Sequence, residues 1–190
     1  MRGFLKSVIA TLSLGPLAAL ALPILDVDSN GQLLGASNVD VNGSLYDVEF
    51  VEGNCFTIFN NCDEESFTFT TQAAARAASS ALLEQVFTDS DLGNFDSAPY
   101  LTAGCTASNL CEARTPYLIA FGVRLDIAVN SAFEYLDGFR TVETSFAAPS
   151  RPDAIWAVWT AIPEPSTILL LAFGLVAVGH GYKRGQRLSV

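Results

Sequence analysis

The sequence predicts an α+β domain: an antiparallel sheet with one main covering helix, flanked by an N-terminal signal helix and a C-terminal transmembrane helix. Three observations predict it. Two hairpin signals, Asn42-Gly43 and Asp137-Gly138, interrupt stretches in which apolar and polar residues alternate. A single stretch, 71–87, switches to helical spacing. Finally, half of the 190 residues are apolar and only 16% are charged, enough for a packed core, and much of the apolar excess lies at the two ends.

Residues 39–41 and 45–51 alternate around Asn42-Gly43 and read as two strands of a hairpin. Phe67-Thr68-Phe69-Thr70 alternates again. The helix follows, with Thr71 as N-cap, Ala73, Ala77, Leu82, Leu83 and Val86 on one face, and Arg76 and Glu84 on the other. Residues 88–99 are polar and read as loop. Residues 117–129 read as one strand, with Arg124 and Asp126 pointing one way and Val123, Leu125 and Ile127 the other. Asp137-Gly138 joins 132–136 to 139–145. After Pro149 and Pro152, residues 155–160 form a last strand containing Trp156 and Trp159. No repeat of 20–50 residues is visible.

The N-terminal end has the order of a secretory signal peptide, placed at 1–21. Arg2 and Lys6 form a charged start, 8–22 is uncharged and rich in Leu and Ala, and Ala19-Leu20-Ala21 is a small-x-small cleavage site. A core helix would show one apolar stripe and would not carry Gly15-Pro16. The C-terminal end, 162–190, has three parts in order: Pro163-Glu164-Pro165, an apolar run, and the basic residues Lys183, Arg184 and Arg187. A helix over about 167–182 would span roughly 24 Å at 1.5 Å per residue, slightly short of a ~30 Å hydrocarbon core. The basic residues act as a membrane stop signal at its end.

The tail Ile162-Pro163-Glu164-Pro165-Ser166-Thr167, its apolar run and its basic end resemble the PEP-CTERM sorting signal of Gram-negative bacteria. The resemblance covers about the last 28 residues. It implies an exosortase substrate, with Pro163, Glu164 and Pro165 as the element read by that membrane-embedded protease. It implies nothing about the domain between the two signals, 22–161.

Charge gives the same topology independently. Basic residues mark the cytoplasmic side, so both ends start there and the segment between them is exported. From 22 to 162 there are 19 acids and five arginines, a charge of −14, with no lysine or histidine. Such a domain repels nucleic acid and anionic lipid, so no nucleic-acid partner is expected. All four cysteines lie in this segment. In an oxidising compartment they predict disulfides, and of the three possible pairings the local ones, Cys55–Cys62 and Cys105–Cys111, each bracket a polar loop. The spacing lacks CxxC and has no nearby histidine, which argues against zinc and against a redox thiol pair.

Other sites are weaker. Asp26-Val27-Asp28-Ser29-Asn30-Gly31 matches the first half of a calcium loop, but the twelfth position is Ser37 and no entering helix fits before it. A polar mature N-terminus is the simpler reading, and no metal or cofactor is expected. The single histidine, His180, leaves serine-hydrolase chemistry without a base, and GxSxG, GxGxxG and Walker loops are absent. Asp47, Glu49, Asp63, Glu64, Glu65, Asp126, Glu134 and Asp137 supply many carboxylates, so a pair suited to glycoside hydrolysis arises by chance. Trp156, Trp159, Tyr100, Tyr117 and Tyr135 would make a sugar-stacking platform, although Trp156 and Trp159 face opposite sides of a strand. The expectation is an exported, non-enzymatic envelope or extracellular protein with no catalytic residues, associated with exopolysaccharide and released from a transient inner-membrane anchor. A carbohydrate-binding module and a secreted carboxylate hydrolase are the alternatives.

Overall fold

The computed structural model describes residues 22–119, 122–143 and 151–163. The chain enters it as an edge strand, β1 (Ile24–Val27), which turns at Asp28 into β2 (Leu33–Val41). The Asp28 carboxylate makes that turn, accepting the backbone N–H groups of Asn30 and Gln32 at 2.8 and 2.9 Å. The stretch that resembles half a calcium loop is therefore the end of β1 and a β-turn. Asn42 and Gly43 then adopt positive φ, 55° and 87°, the geometry of a tight hairpin turn. They lead β2 into β3 (Ser44–Val51).

A disulfide-closed loop follows. Its one helical turn, α1 (Cys55–Ile58), is capped by the Asn54 side chain, which accepts the Thr57 N–H. Phe67–Thr70 is not a strand; it crosses to the main helix, α2 (Gln72–Ala81), where the Thr71 side chain accepts the Ala74 N–H. A π-helical turn, Leu82–Val86, continues α2. Its buried face is Ala75, Ala78, Ser79, Leu82 and Val86, while Ala73 is exposed. The sequence-predicted face was thus rotated, because eight positions of alanine and serine in Gln72–Ala81 give periodicity little to work on.

Residues 88–99 hold a two-residue ribbon, β4 (Asp89–Ser90) and β5 (Gly93–Asn94). Two ten-residue strands come next, β6 (Leu110–Ile119) and β7 (Gly122–Ser131). The stretch read as one strand over 117–129 is instead split between them. The expected turn at Asp137-Gly138 is corrected: the reversal from β7 to β8 (Gly138–Glu143) runs through 132–137 with a 3₁₀ turn at Glu134–Leu136, and Gly138 is already paired with Val129. The last strand, β9 (Ala154–Ala161), closes the sheet.

The expected α+β class with an antiparallel sheet is corrected. The protein is mostly β, and its seven-stranded sheet, ordered β1-β2-β3-β9-β6-β7-β8, is mixed. β9 lies in the middle, antiparallel to β3 and parallel to β6. The reason is visible in its side chains. Ala154, Ile155, Trp156 and Ala157 are all buried, so β9 is covered on both faces, as a central strand must be. On one face α2 packs over a core that includes Val39, Phe50, Tyr117, Ile155 and Trp159. On the other, Phe59 of the disulfide-closed loop and Phe67 beyond it cover Trp156, Val123, Leu125 and Ile127. The disulfides are Cys55–Cys62 and Cys105–Cys111. Closing such short loops stabilises by about 2–3 kcal/mol each on the chain-entropy model.

The signal peptide at 1–21 and the transmembrane segment at about 167–182 lie outside the described residues. Among the described residues no helix is long and apolar enough to cross a membrane.

Candidate functional site

Ala161 ends β9 opposite Tyr46, the last of six pairs between β3 and β9. One residue further, the Ile162 N–H donates to the Leu45 carbonyl at 2.9 Å. Ile162 is half-buried and Pro163, which has no N–H to offer, is exposed. The ladder therefore stops where the Pro-Glu-Pro tripeptide starts, with no linker between the fold and the motif. The hairpin turn at Asn42-Gly43 stands at the same end of the sheet, because Leu45 and Tyr46 directly follow it. Of the sequence-predicted site residues only Pro163 can be placed here. Glu164, Pro165, Lys183, Arg184 and Arg187 lie outside the described residues.

The charged groups of the domain are mostly committed to the fold. Asp126 is fully buried under α2; both its oxygens accept from Arg76 Nε at 2.8 Å, and the Thr141 hydroxyl donates to it at 3.1 Å. On the opposite face Glu112, also buried, is ion-paired with Arg140 and stands 3.9 Å from Arg151, which itself pairs with Asp153. Arg114 is buried there too, its guanidinium 5.8 Å from the centre of the Trp156 ring. Burial pulls the Arg114 pKa down, an effect that the neighbouring Glu112 charge opposes. The burial of Glu112 and Arg114 was not legible beforehand, because alternation with Cys111, Ala113 and Tyr117 assigns them to a solvent face, whereas β6 is buried on both faces over 111–117.

Three of the other candidate carboxylates accept backbone N–H groups. Asp63 accepts the Glu65 N–H at the start of a 3₁₀ turn, Asp47 accepts the Asn38 N–H, and Asp137 accepts the Ser131 N–H. Glu49 and Asp47 line a small cleft of about 210 Å³ together with Asp26. A larger cleft of about 500 Å³ runs along the outer side of α2, between Asp40, Asn42 and Glu84 at one end and Arg76 and Phe139 at the other. The proposed sugar platform is dismantled by packing. Trp156 and Trp159 sit in the two cores on opposite faces of β9, and Tyr117 is buried beneath α2. Tyr100 and Tyr135 remain exposed.

The mostly β, disulfide-closed domain thus runs from its central strand straight into the segment that carries the Pro-Glu-Pro tripeptide. Residues 161–184 match the family model of the PEP-CTERM protein-sorting motif. The motif implies export across the inner membrane, processing by exosortase, and delivery to the cell surface or the surroundings. No curated protein and no solved structure matches the chain.

Proposed function

We propose that this chain is a non-enzymatic component of the extracellular matrix, associated with exopolysaccharide and released from a transient inner-membrane tether by exosortase. The observation that carries the reading is the sorting-motif match at 161–184, which begins on the last residue of β9. The apolar run behind the tripeptide tethers the precursor, and Lys183, Arg184 and Arg187 hold its end in the cytoplasm. Removal of the tail frees a domain whose charge of −14 from 22 to 162 keeps it soluble and away from anionic lipid. Two disulfides suit an oxidising destination. The most buried carboxylates, Asp126 and Glu112, are neutralised by arginines on opposite faces of the sheet, which supports a folding role for them over a shared catalytic cleft.

Mass spectrometry of the mature C-terminus tests this. The secreted form is expected to lack Val190, and Glu164→Ala is expected to accumulate full-length precursor without loss of export. A secreted wild-type protein that keeps Val190 would overturn the sorting reading. A second reading, a carbohydrate-binding module, draws support from the exposed rings of Phe133 and Tyr135, 6.1 Å apart. Glycan-array binding that is lost in Tyr135→Ala would favour it.

A further inference from the structure

The sorting-motif match and the folded sheet overlap. The match starts at Ala161, yet Ala161 is paired with Tyr46 and the Ile162 N–H is bonded to Leu45. A protease holds its substrate as an extended strand on both sides of the cut, so it competes with a sheet for the same backbone groups. Here the competitor is β3, and the residues just before Pro163 are on its ladder.

We propose that Leu45 and Tyr46 of β3 act as positioning residues for processing: by clamping Ala161 and Ile162 in the sheet they withhold the amino-terminal side of the junction, so that the end of β9 must peel from β3 before exosortase can seat it. The inference rests on the reading of 161–184 as an exosortase substrate and adds a control on it. Three features support the mechanism. The clamp is at the free end of the ladder, where opening costs least. It depends on the adjacent turn, whose Asn42 and Gly43 both need positive φ. And Ile162 is joined to Leu45 by a backbone bond, with no ion pair at this end of the sheet among the described residues. In the cleavage itself the acyl group of the cut bond passes to the protease nucleophile and then to water, while the tail leaves as a free amine. The clamp takes no part in that chemistry. It also protects the product, since a cut is directed beyond Ile162 and β9 stays whole.

The experiment is pulse-chase processing of the full chain in an exosortase-competent host, with C-terminal mass spectrometry of the product. Two variants loosen the clamp by independent routes. A six-residue Gly/Ser insertion between Ile162 and Pro163 supplies slack without touching the fold, and Gly43→Val strains the turn that holds Leu45 and Tyr46 in place. Both are expected to speed processing several-fold, with every wild-type product ending beyond Ile162. Unchanged or slower processing of the insertion variant, or wild-type products ending within β9, would overturn the inference. Glu164→Ala in the same assay separates the two readings. If it is processed normally, the sorting reading falls; if it is blocked while the insertion has no effect, only the clamp falls.

Discussion

Arg76→Ala leaves a carboxylate stranded in the core. Asp126 has no exposed surface, accepts Arg76 Nε on both oxygens, and retains the Thr141 hydroxyl, itself a partner of Arg76 Nη2 at 3.0 Å. Breaking a buried pair from one side costs about 3–5 kcal/mol. Arg76 is 40% exposed, so water enters where its side chain was, and the expected cost is at the lower end, about 3 kcal/mol. Asp126→Ala frees an arginine that already reaches solvent and should cost less, about 2 kcal/mol. Because the two side chains act as a unit, the double variant should fall about 2 kcal/mol short of the sum. At roughly 3–4 °C per kcal/mol for a domain of this size, Arg76→Ala lowers the Tm of the mature protein by about 10 °C. Urea unfolding of the two single variants and the double variant gives the cycle directly. The apolar replacement Arg76→Met with Asp126→Leu should lie nearer the wild type than either single alanine. A cost below about 1 kcal/mol for Arg76→Ala, the range of solvent-exposed pairs, would refute the argument from burial, as would simple additivity.

Other outcomes follow from local geometry. A Cβ on Gly35 would stand 2.1 Å from the Val48 carbonyl oxygen, so Gly35→Ala must part β2 from β3 and should cost more than about 2 kcal/mol, whereas Gly138→Ala meets nothing within 4 Å and should stay within about 0.5 kcal/mol. Equal melts for the two would contradict that contact. Acid stability should depend on Asp28 and Asp89. The Gln32 N–H, followed by Asn30 and Gly31, holds Asp28 below its ordinary 3.8; at Asp89 partial burial pushes upward but is outweighed by hydrogen bonds from Ser97 and Asp96. A lowered carboxylate adds stability above its unfolded pKa and loses it as pH falls through the folded value. The Tm is therefore expected to hold from pH 7 to about 5 and to drop below about 4, with a shallower drop in Asp28→Asn and Asp89→Asn. An identical acid slope in these variants would show that other groups govern it.

Where local chemistry dictates geometry, the sequence was readable. Asn42-Gly43 encodes its turn because both residues tolerate positive φ, and Thr71 encodes a helix start because its hydroxyl reaches the Ala74 N–H. The β6–β7 reversal was missed for the converse reason. β6 ends at Ile119 and β7 starts at Gly122, and the sequence between them, Ala120-Phe121, is an apolar dipeptide with no turn signature. β6 itself was hidden by Pro116, a residue that argues against a central strand; its pairing with β9 stops at Arg114, two residues before the proline. The order of strands was out of reach, since the parallel partnership of β6 and β9 brings together residues about forty positions apart. The sorting signal was legible because it is a local, ordered string, whereas the clamp on it joins Leu45 to Ile162 and exists only in the folded chain.

The position of β9 also sets when folding can finish. Before it arrives, the chain has two separate ribbons, β1-β2-β3 and β6-β7-β8, and the inner edges of β3 and β6 have nothing to pair with. β9 is the keystone that joins them, and it carries Trp156 and Trp159 into the two cores at once. A chain broken off anywhere before Ala154 thus lacks the strand that joins the two ribbons, and its bare edges invite aggregation or proteolysis. Completeness is proofread by topology: a molecule that has folded has also been synthesised to within two residues of its address label.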